Sequence, residues 1–600
     1  MKLHLPKLLC VAVMGAMALP AMGGELTYTT DANGNTLWNV GEIDPTMEPY
    51  EQYTYLDVAT HEHSVAYDIN EDGKIEANEK AFVLDGKDQL GIYLNNSLFV
   101  GGYDYTEGNT YNPDNPLPNS LYVNGTIVVK DSACISLGGL YKTSSHKELI
   151  GLMADNVIVE GTSGTNITVR RGYTKNLIIK SGTVYWHQGT NDGNSSGSFY
   201  WYDENNEDGW KVSDSKMMMI TESLQQSGGT LIIGRADKTA QGSKYFANLL
   251  NGNISLSGNG KMTVYGDSIT DNNNLQIKQS GNSQMCFRDM FFLYQDNSVL
   301  SITQDEGNEK GNPTMILGRL EGKLPGFGSW NIGAINRAAT VNITQNGGGE
   351  IKLAYGSNFG KASTINITQN GTGTVTIGGG HAMANTTVAS DGFMSTNTTY
   401  TLDQSEGSGS VNIASDASIS ASSLKLNTAA LLNIAGSLTL NEGGTFEIAV
   451  NSAHDAAISI EATGSLVATN QALSLSMDDV VVSDMIDTLT AATESCEMTY
   501  TIDLISSTDK GKLETLLGQL TWEWEGLPQT AALAADTLTT VVTYDYIDSG
   551  LVVNDMGDGT YMLQAATNWN VKVTEQVPEP ATATLSLLAL AGLAARRRRR

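Results

Sequence analysis

Basic residues are in short supply in this chain. Lysine and arginine total 35 against 65 acids, a formal net charge of −30 over 600 residues. Seven of those bases sit at the two ends, as Lys2, Lys7 and Arg596 to Arg600, so the body between them is more acidic still. A nucleic-acid partner needs a basic face to displace counterions, so that class of function is excluded. Cysteine is scarcer, with 4 in all. Cys10 lies near the start, while Cys134, Cys286 and Cys496 stand far apart with no CxxC spacing, which indicates neither a zinc site nor a disulfide framework. Proline is low at 12 residues and charged residues make up only 17%. No GxSxG, HExxH or P-loop occurs, and no Cys/His arrangement at a known spacing, so no catalytic residue is assigned.

Glycine, by contrast, is abundant at 63, and Asn, Ser and Thr crowd the gaps between short Val/Ile/Leu runs. Such a mixture disfavours helices and suits many short strands joined by tight turns. One peptide nearly duplicates itself: TVNITQNGGGEIKLAYGS from Thr340 and TINITQNGTGTVTIGGG from Thr364. Val341 and Ile365 are 24 residues apart, as are Ile343 and Ile367, and Leu275 and Leu300 are 25 apart in earlier copies. Alternation places the apolar side chains of each strand on one face. Recurrence at this period is the mark of a solenoid whose coils bury that face by stacking. The expected fold is therefore all-β, a right-handed parallel β-helix with small N-terminal and C-terminal capping modules. Asn and Thr at equivalent positions would stack into ladders along its axis. An antiparallel sandwich array is the alternative, because glycine-rich turns also make hairpins. The expected divisions are a signal peptide over 1–23, an N-terminal β module over 24–120, repeats over 121–450 and a β-rich cap over 451–577. In the cap, TYTIDLIS reads as a strand. TDKGKLETLLGQL reads as a helix capped by Thr508 or Asp509, and GLVVNDMGDGTYMLQA as a hairpin turning on Asp558-Gly559.

Two ends carry addresses. At the start, Lys2 and Lys7 precede an apolar stretch, and Ala21-Met22-Gly23 supplies small residues for signal peptidase. At the finish, Pro578-Glu579-Pro580 precedes an apolar run from Ala581 to Ala595, then Arg596, Arg597, Arg598, Arg599 and Arg600. These three parts in order resemble the PEP-CTERM sorting signal of Gram-negative bacteria. The resemblance implies recognition by an exosortase, transient contact with the inner membrane through 581–595, and delivery to the outer surface or extracellular matrix. The positive-inside rule keeps the arginines cytoplasmic. A permanent anchor without processing is the plainer reading of the same run. More weakly, the repeats resemble autotransporter-associated β-strand repeats, though no terminal membrane barrel follows them.

One motif carries sharp chemistry. In YDINEDGKIEANEKAF, Asp68, Asn70 and Asp72 take positions 1, 3 and 5 of a twelve-residue loop. Gly73 takes position 6, Lys74 offers its carbonyl at 7, and Glu76 and Glu79 fill 9 and 12. The spacing resembles an EF-hand or dockerin-like loop, which implies structural calcium. A hairpin on Asp72-Gly73, with Tyr67, Ile69 and Ile75 in strands, fits the same residues. Just upstream, His61 and His63 could share a strand face, but no third zinc ligand is apparent. Tyr185, Trp186, Tyr200, Trp201, Tyr202 and Trp210 cluster beside Asp and Asn. That combination suits sugar stacking, and alternating aromatics equally suit a strand core. The leading expectation is an exported structural or adhesion-type surface protein that contacts polysaccharide or host glycan. A carbohydrate-active enzyme or a glycan-binding module on the same fold is the rival.

Overall fold

The computed structural model describes residues 24–575 except 41–52, 71, 77–78, 92, 95–96, 99–119, 138–146, 150, 170–171, 187–197, 203–209, 215, 235–246, 265–266, 271, 288–290, 294–296, 307–310, 318–338, 354–363, 379–393, 404–408, 416, 428–430, 526–529 and 534–539. Two compact units make up the chain, one of residues 1–178 and 182–219, the other of 179–181 and 220–600.

In the first unit, two runs of parallel strands carry the architecture. Tyr53–Asp57 and Lys80–Leu84 both pair with Ser120–Asp131, which pairs in turn with Leu152–Gly161. A second run passes from Thr36–Asn39 through Gln89–Gly91, Cys134–Leu137 and Ile167–Val169 to Thr183–Trp186. An antiparallel hairpin, Thr27–Thr30 with Thr36–Asn39, starts that run. Pairing thus crosses residue 120 directly. Ala81, Val128 and Ile158 form a buried cluster under Tyr67, Ile69, Val83 and Ile178. A wholly buried Asn166 donates to the carbonyls of Asp131 and Ala133 at 3.1 Å each and accepts from the Thr183 N–H at 3.1 Å. A single amide therefore ties three turns of the chain together.

The second unit repeats the same logic over a longer stretch. One ladder runs through Asn274–Gln279, Ser298–Gln304, Ala339–Gln345, Thr364–Gln369 and Met394–Asp403 to Ser418–Asn427 and Ser437–Val450. A companion ladder runs through Lys261–Val264, Gln284–Phe287, Thr314–Leu317, Glu350–Leu353, Thr374–Ile377 and Ser410–Ile413. All of these pairs are parallel and nearly in register. Val341 lies beside Ile365 and Ile343 beside Ile367, while Leu275 lies beside Leu300, as the repeat spacing requires. All six side chains are buried, and filling such a site contributes about 1.5–3 kcal/mol per residue. Long parallel strands in two sheets are compatible with an all-β solenoid. The antiparallel sandwich is not the arrangement of these repeats.

Parallel stacking continues past residue 450. Phe446–Val450 pairs with Leu473–Met477, and Gln471–Ser476 with Leu520–Glu525. Two helices are inserted here, α1 (Asp479–Thr490) and α2 (Lys510–Leu517). Asp478 caps α1 by accepting from the N–H groups of Val480 and Val481, and Asp509 caps α2 through the Gly511 N–H, satisfying donors that a helix start leaves open. Lys512 on α2 points its ammonium at the carbonyls of Glu461, Ala462 and Gly464, at 3.0, 2.6 and 2.7 Å. Cys496–Ser507 ends the companion ladder. Its last residues pair parallel with Ile458–Ile460, and its length pairs antiparallel with Tyr561–Glu575, which pairs with Thr540–Asp555. The connecting turn places Gly557 and Gly559 at positive φ and closes with Met556 N–H on the Thr560 carbonyl. The strand, helix and hairpin read from these residues are all found.

Candidate functional site

The acidic loop lies in the first unit between Ser64–Ala66 and Lys80–Leu84, which pair antiparallel. No helix flanks it. A Tyr67 N–H on the Glu79 carbonyl, 3.0 Å, extends the pairing by one step before the chain leaves the strands. The tight-turn alternative is corrected in part: a hairpin does close here, but Ile69 and Ile75 belong to its loop and not to its strands. Within the loop, Asp68 Oδ2 accepts from the Gly73 N–H at 2.9 Å. Asn70 Oδ1 accepts from Asp72 N–H at 3.0 Å, and Asp72 Oδ1 from Lys74 N–H at 2.8 Å. Gly73 has φ +79°, a conformation few other residues adopt without strain. Glu79 is 7% exposed, and its Oε2 accepts from the Glu76 N–H at 2.9 Å. The other oxygen of Asp68, Oδ1, is buried with no partner. Asn70, Asp72, Lys74 and Glu76 are exposed.

The spacing thus produces a turn scaffold in which side chains 1, 3 and 5 hold the backbone. Among the described residues, no three His, Cys, Asp or Glu side chains gather closely enough to hold a metal. The unpartnered Asp68 oxygen fits a cation ligand, whereas the exposed Asp72 and Glu76 carboxylates do not converge on it. The loop is fixed to the sheet by Tyr67. Its hydroxyl donates to Glu160 at 2.8 Å, and the Lys130 ammonium sits 4.8 Å from its ring centre.

His61 and His63 stand in an aromatic group. The His63 ring lies edge-on to Tyr28 and Trp38 at 4.8 and 5.0 Å, and the His61 ring edge-on to Phe82 at 5.3 Å. Trp186 is fully buried, and a side chain at Gly172 would collide with its indole at 2.2 Å. Its ring therefore belongs to the core and is not offered to a sugar. Tyr185 is half-buried. Tyr200, Trp201 and Tyr202 lie in Ser198–Tyr202, which pairs antiparallel with Trp210–Asp214 and sets Tyr202 opposite Trp210; the placement of those four side chains lies outside the described residues.

A second polar array went unread in the sequence. Gln279, Gln304, Gln345 and Gln369 occupy equivalent places at the ends of successive ladder strands, and all are 0–1% exposed. Gln304 donates to the Gln279 amide oxygen at 3.0 Å, and Gln345 to that of Gln304 at 2.8 Å. The same nitrogens also donate to turn carbonyls: Gln304 to Pro313 and Glu350, Gln345 to Gly349 and Thr374, Gln369 to Gly373 and Ser410. Outside this stack run the expected asparagine ladders. Asn366 donates to Asn342 at 2.8 Å, and Asn370 to Asn346 at 2.9 Å.

The residues of the C-terminal address, Pro578, Glu579, Pro580 and Arg596 to Arg600, lie outside the described residues, as do 1–23. Among the described residues no helix is long and apolar enough to cross a membrane; the segment 581–595 is not one of them. Residues 576–600 match the PEP-CTERM protein-sorting motif. The chain carries a PEP-CTERM sorting signal. That signal implies export in a Gram-negative bacterium and processing by an exosortase. Nothing among curated proteins or solved structures matches the chain.

Proposed function

We propose that this PEP-CTERM protein is a surface or matrix display body. In this reading its repeats close into a right-handed parallel β-helix that holds a long, regular face outside the cell. Signal peptidase removes residues 1–23, the segment 581–595 holds the chain briefly in the inner membrane, and an exosortase acts near Pro578-Glu579-Pro580. The single observation that carries the reading is the match of 576–600 to the sorting motif. The stacked ladders support it, since a solenoid extends by about 4.8 Å with each coil and presents equivalent side chains at that interval. The antiparallel strands from Cys496 onward act as a cap that keeps the companion ladder from pairing with another chain.

Calcium at Asp68, Asn70, Asp72, the Lys74 carbonyl, Glu76 and Glu79 belongs to the same proposal as a structural ligand, and its binding would draw the exposed Asp72 and Glu76 carboxylates in toward Asp68. The buried free oxygen of Asp68 supports it. A bound cation would add rigidity to a loop already tied to the sheet through Tyr67.

The experiment is display itself. The chain is expressed in a host with and without its exosortase, alongside a variant carrying Pro578→Ala, Glu579→Ala and Pro580→Ala, and intact cells are treated with protease. Digestion of the body on wild-type cells, with protection in the other two, is the expected result. Equal digestion in all three overturns the reading. Release of new reducing ends or unsaturated sugars from a polysaccharide panel would move the protein to the enzyme class.

A further inference from the structure

The last strand of the body, Tyr561–Glu575, has a neighbour on each side. It pairs antiparallel with Cys496–Ser507, from Tyr561 beside Ser507 to Val571 beside Cys496. It pairs also with Thr540–Asp555, as far as Glu575 beside Thr540. Beyond Val571 the first neighbour has ended, and one side chain takes its place. Ser495 Oγ accepts from the Val573 N–H at 2.9 Å and donates to the Val573 carbonyl at 3.4 Å. Val573 thus gives both its main-chain groups to one hydroxyl, while Thr540–Asp555 runs along its other edge. The sorting motif follows at once. Pro578 stands three residues beyond Glu575 and Ala581 six, which span at most about 11 Å and about 22 Å when fully extended.

We propose that this clasp sets the rate of exosortase processing. The enzyme reaches Pro578-Glu579-Pro580 of a folded chain only when Val573 to Glu575 peel from the sheet. The inference rests on the exosortase step of the display reading and adds the residues that govern that step. Extended peptide segments are gripped through their own N–H and C=O groups, and those of Val573 are already engaged. A tether of about 11 Å is little more than the spacing of about 10 Å between packed sheets. An enzyme closing around the motif would therefore meet the cap itself. Strand ends open more readily than strand centres, so a local peel suffices and the body stays folded. Removing the Ser495 hydroxyl eases the peel, and a longer tether makes it unnecessary.

The test follows the full-length chain by pulse-chase in a host that carries the exosortase. It reads the half-time for loss of the C-terminal signal. A six-residue Gly/Ser segment inserted between Gln576 and Val577 should shorten it at least about fivefold, because a flexible tether supplies the reach that the peel otherwise provides. Ser495→Ala should shorten it roughly two- to fivefold, the worth of one hydrogen bond, and should add nothing when combined with the insertion. Ser495→Thr keeps the hydroxyl and should restore the original half-time. Tyr500→Phe removes a bond to Asp484 elsewhere in the same sheet and should leave the half-time unchanged. One half-time shared by the unaltered chain, Ser495→Ala and the insertion overturns the proposal, because the cut would then ignore the folded cap. Equal acceleration by Ser495→Ala and Tyr500→Phe also overturns it, since global unfolding and not the strand end would then govern. Signal lost at one common rate leaves the display reading in place, whereas a signal retained on every chain overturns both.

Discussion

The Gln stack and the acidic loop are both built from polar side chains bonded to backbone, yet they differ in where their partners come from. Gln345 reaches Gln304, 41 residues earlier in the chain, and Thr374, 29 residues later. Asn70 reaches Asp72 two residues on, and Asp68 reaches Gly73 five residues on. Partners from other coils exist only once those coils have stacked, so the Gln amides report and enforce register. Partners within the loop form as soon as the loop turns, and they leave one Asp68 oxygen free. Buried amides whose nitrogens bond across coils hold a fold together, even though the Gln345 and Gln369 oxygens are themselves left without a partner. An exposed, self-capped loop with one oxygen to spare is where a ligand has room to act.

Breaking the stack should have the largest effect. Gln345→Leu strands the Gln304 oxygen and removes a donor from the Thr374 and Gly349 carbonyls, of which Gly349 keeps the Thr374 N–H. Each stranded buried group costs about 1–3 kcal/mol, so a loss of about 2–4 kcal/mol is expected in denaturant unfolding. Next comes the glycine that makes room for that amide. A methyl group at Gly373 would meet the Gly349 carbonyl at 2.3 Å and Gln345 Nε2 at 2.4 Å, and Gly373→Ala should cost about 1–3 kcal/mol by overpacking. Gly73→Ala in the loop sharpens the contrast. Nothing lies within 4 Å of the added methyl, and only the φ of +79° opposes it. Its cost should be about 1–2 kcal/mol, and Gly73→Asn should recover part of it because Asn tolerates that region, whereas Gly373→Asn should be worse than Gly373→Ala.

Tyr500 lies between these two extremes, with one long-range partner. Its hydroxyl donates to Asp484 on α1 at 2.7 Å. Burial first, and then the Asp484 bond and charge, raise its pKa well above the usual tyrosine value of 10.0. The folded state therefore keeps a proton that the unfolded state releases. The stability this contributes is whole below pH 10 and declines as pH rises from there toward the folded pKa. Tyr500→Phe should cost about 1 kcal/mol at pH 7 and should flatten the fall in melting temperature above pH 10.

The smallest effect belongs to calcium. With an extracellular-type affinity, millimolar calcium should stabilise the protein by about 1 kcal/mol or less. Glu79→Gln should abolish that shift in a thermal melt, and an equal shift in the variant would remove calcium from the proposal.

Much of the ladder was legible because alternation and repeat length act together. Val341, Ile343 and their partners 24 residues later had to stack if one face was apolar. Gln345 and Gln369 share that inward parity, two residues beyond Ile343 and Ile367, and this was the signal that would have found the stack. It was hidden because a glutamine alone reads as a surface residue, and only neighbouring turns supply its partners. Trp186 was misleading for the same reason. Its position two residues from buried Val184 turns it inward, whereas its chemistry suggested a sugar platform. In the loop, spacing put Asp68, Asn70, Asp72 and Gly73 in one turn but did not foretell the Asp68–Gly73 and Asn70–Asp72 bonds that brace it. The hairpin alternative put strands beside the turn, as found, but Tyr67 reaching Glu160 depends on a strand 93 residues away and was not legible locally.

The central claim is that successive repeats stack in parallel, one beside the next. It is tested most directly by cysteine pairs in a variant whose own cysteines are replaced by serine. Asn342 and Asn366 are register partners, and Asn366 is the partner of Thr401 one coil further. Neighbouring strands lie about 4.8 Å apart, within the Cα separation of about 4.4–6.8 Å that a disulfide spans, and two coils lie about 9.6 Å apart, beyond it. Mild oxidation should therefore close the Asn342→Cys/Asn366→Cys pair and leave the Asn342→Cys/Thr401→Cys pair open. A folded protein in which the first pair stays open, or the second closes, would contradict the stacked-coil account.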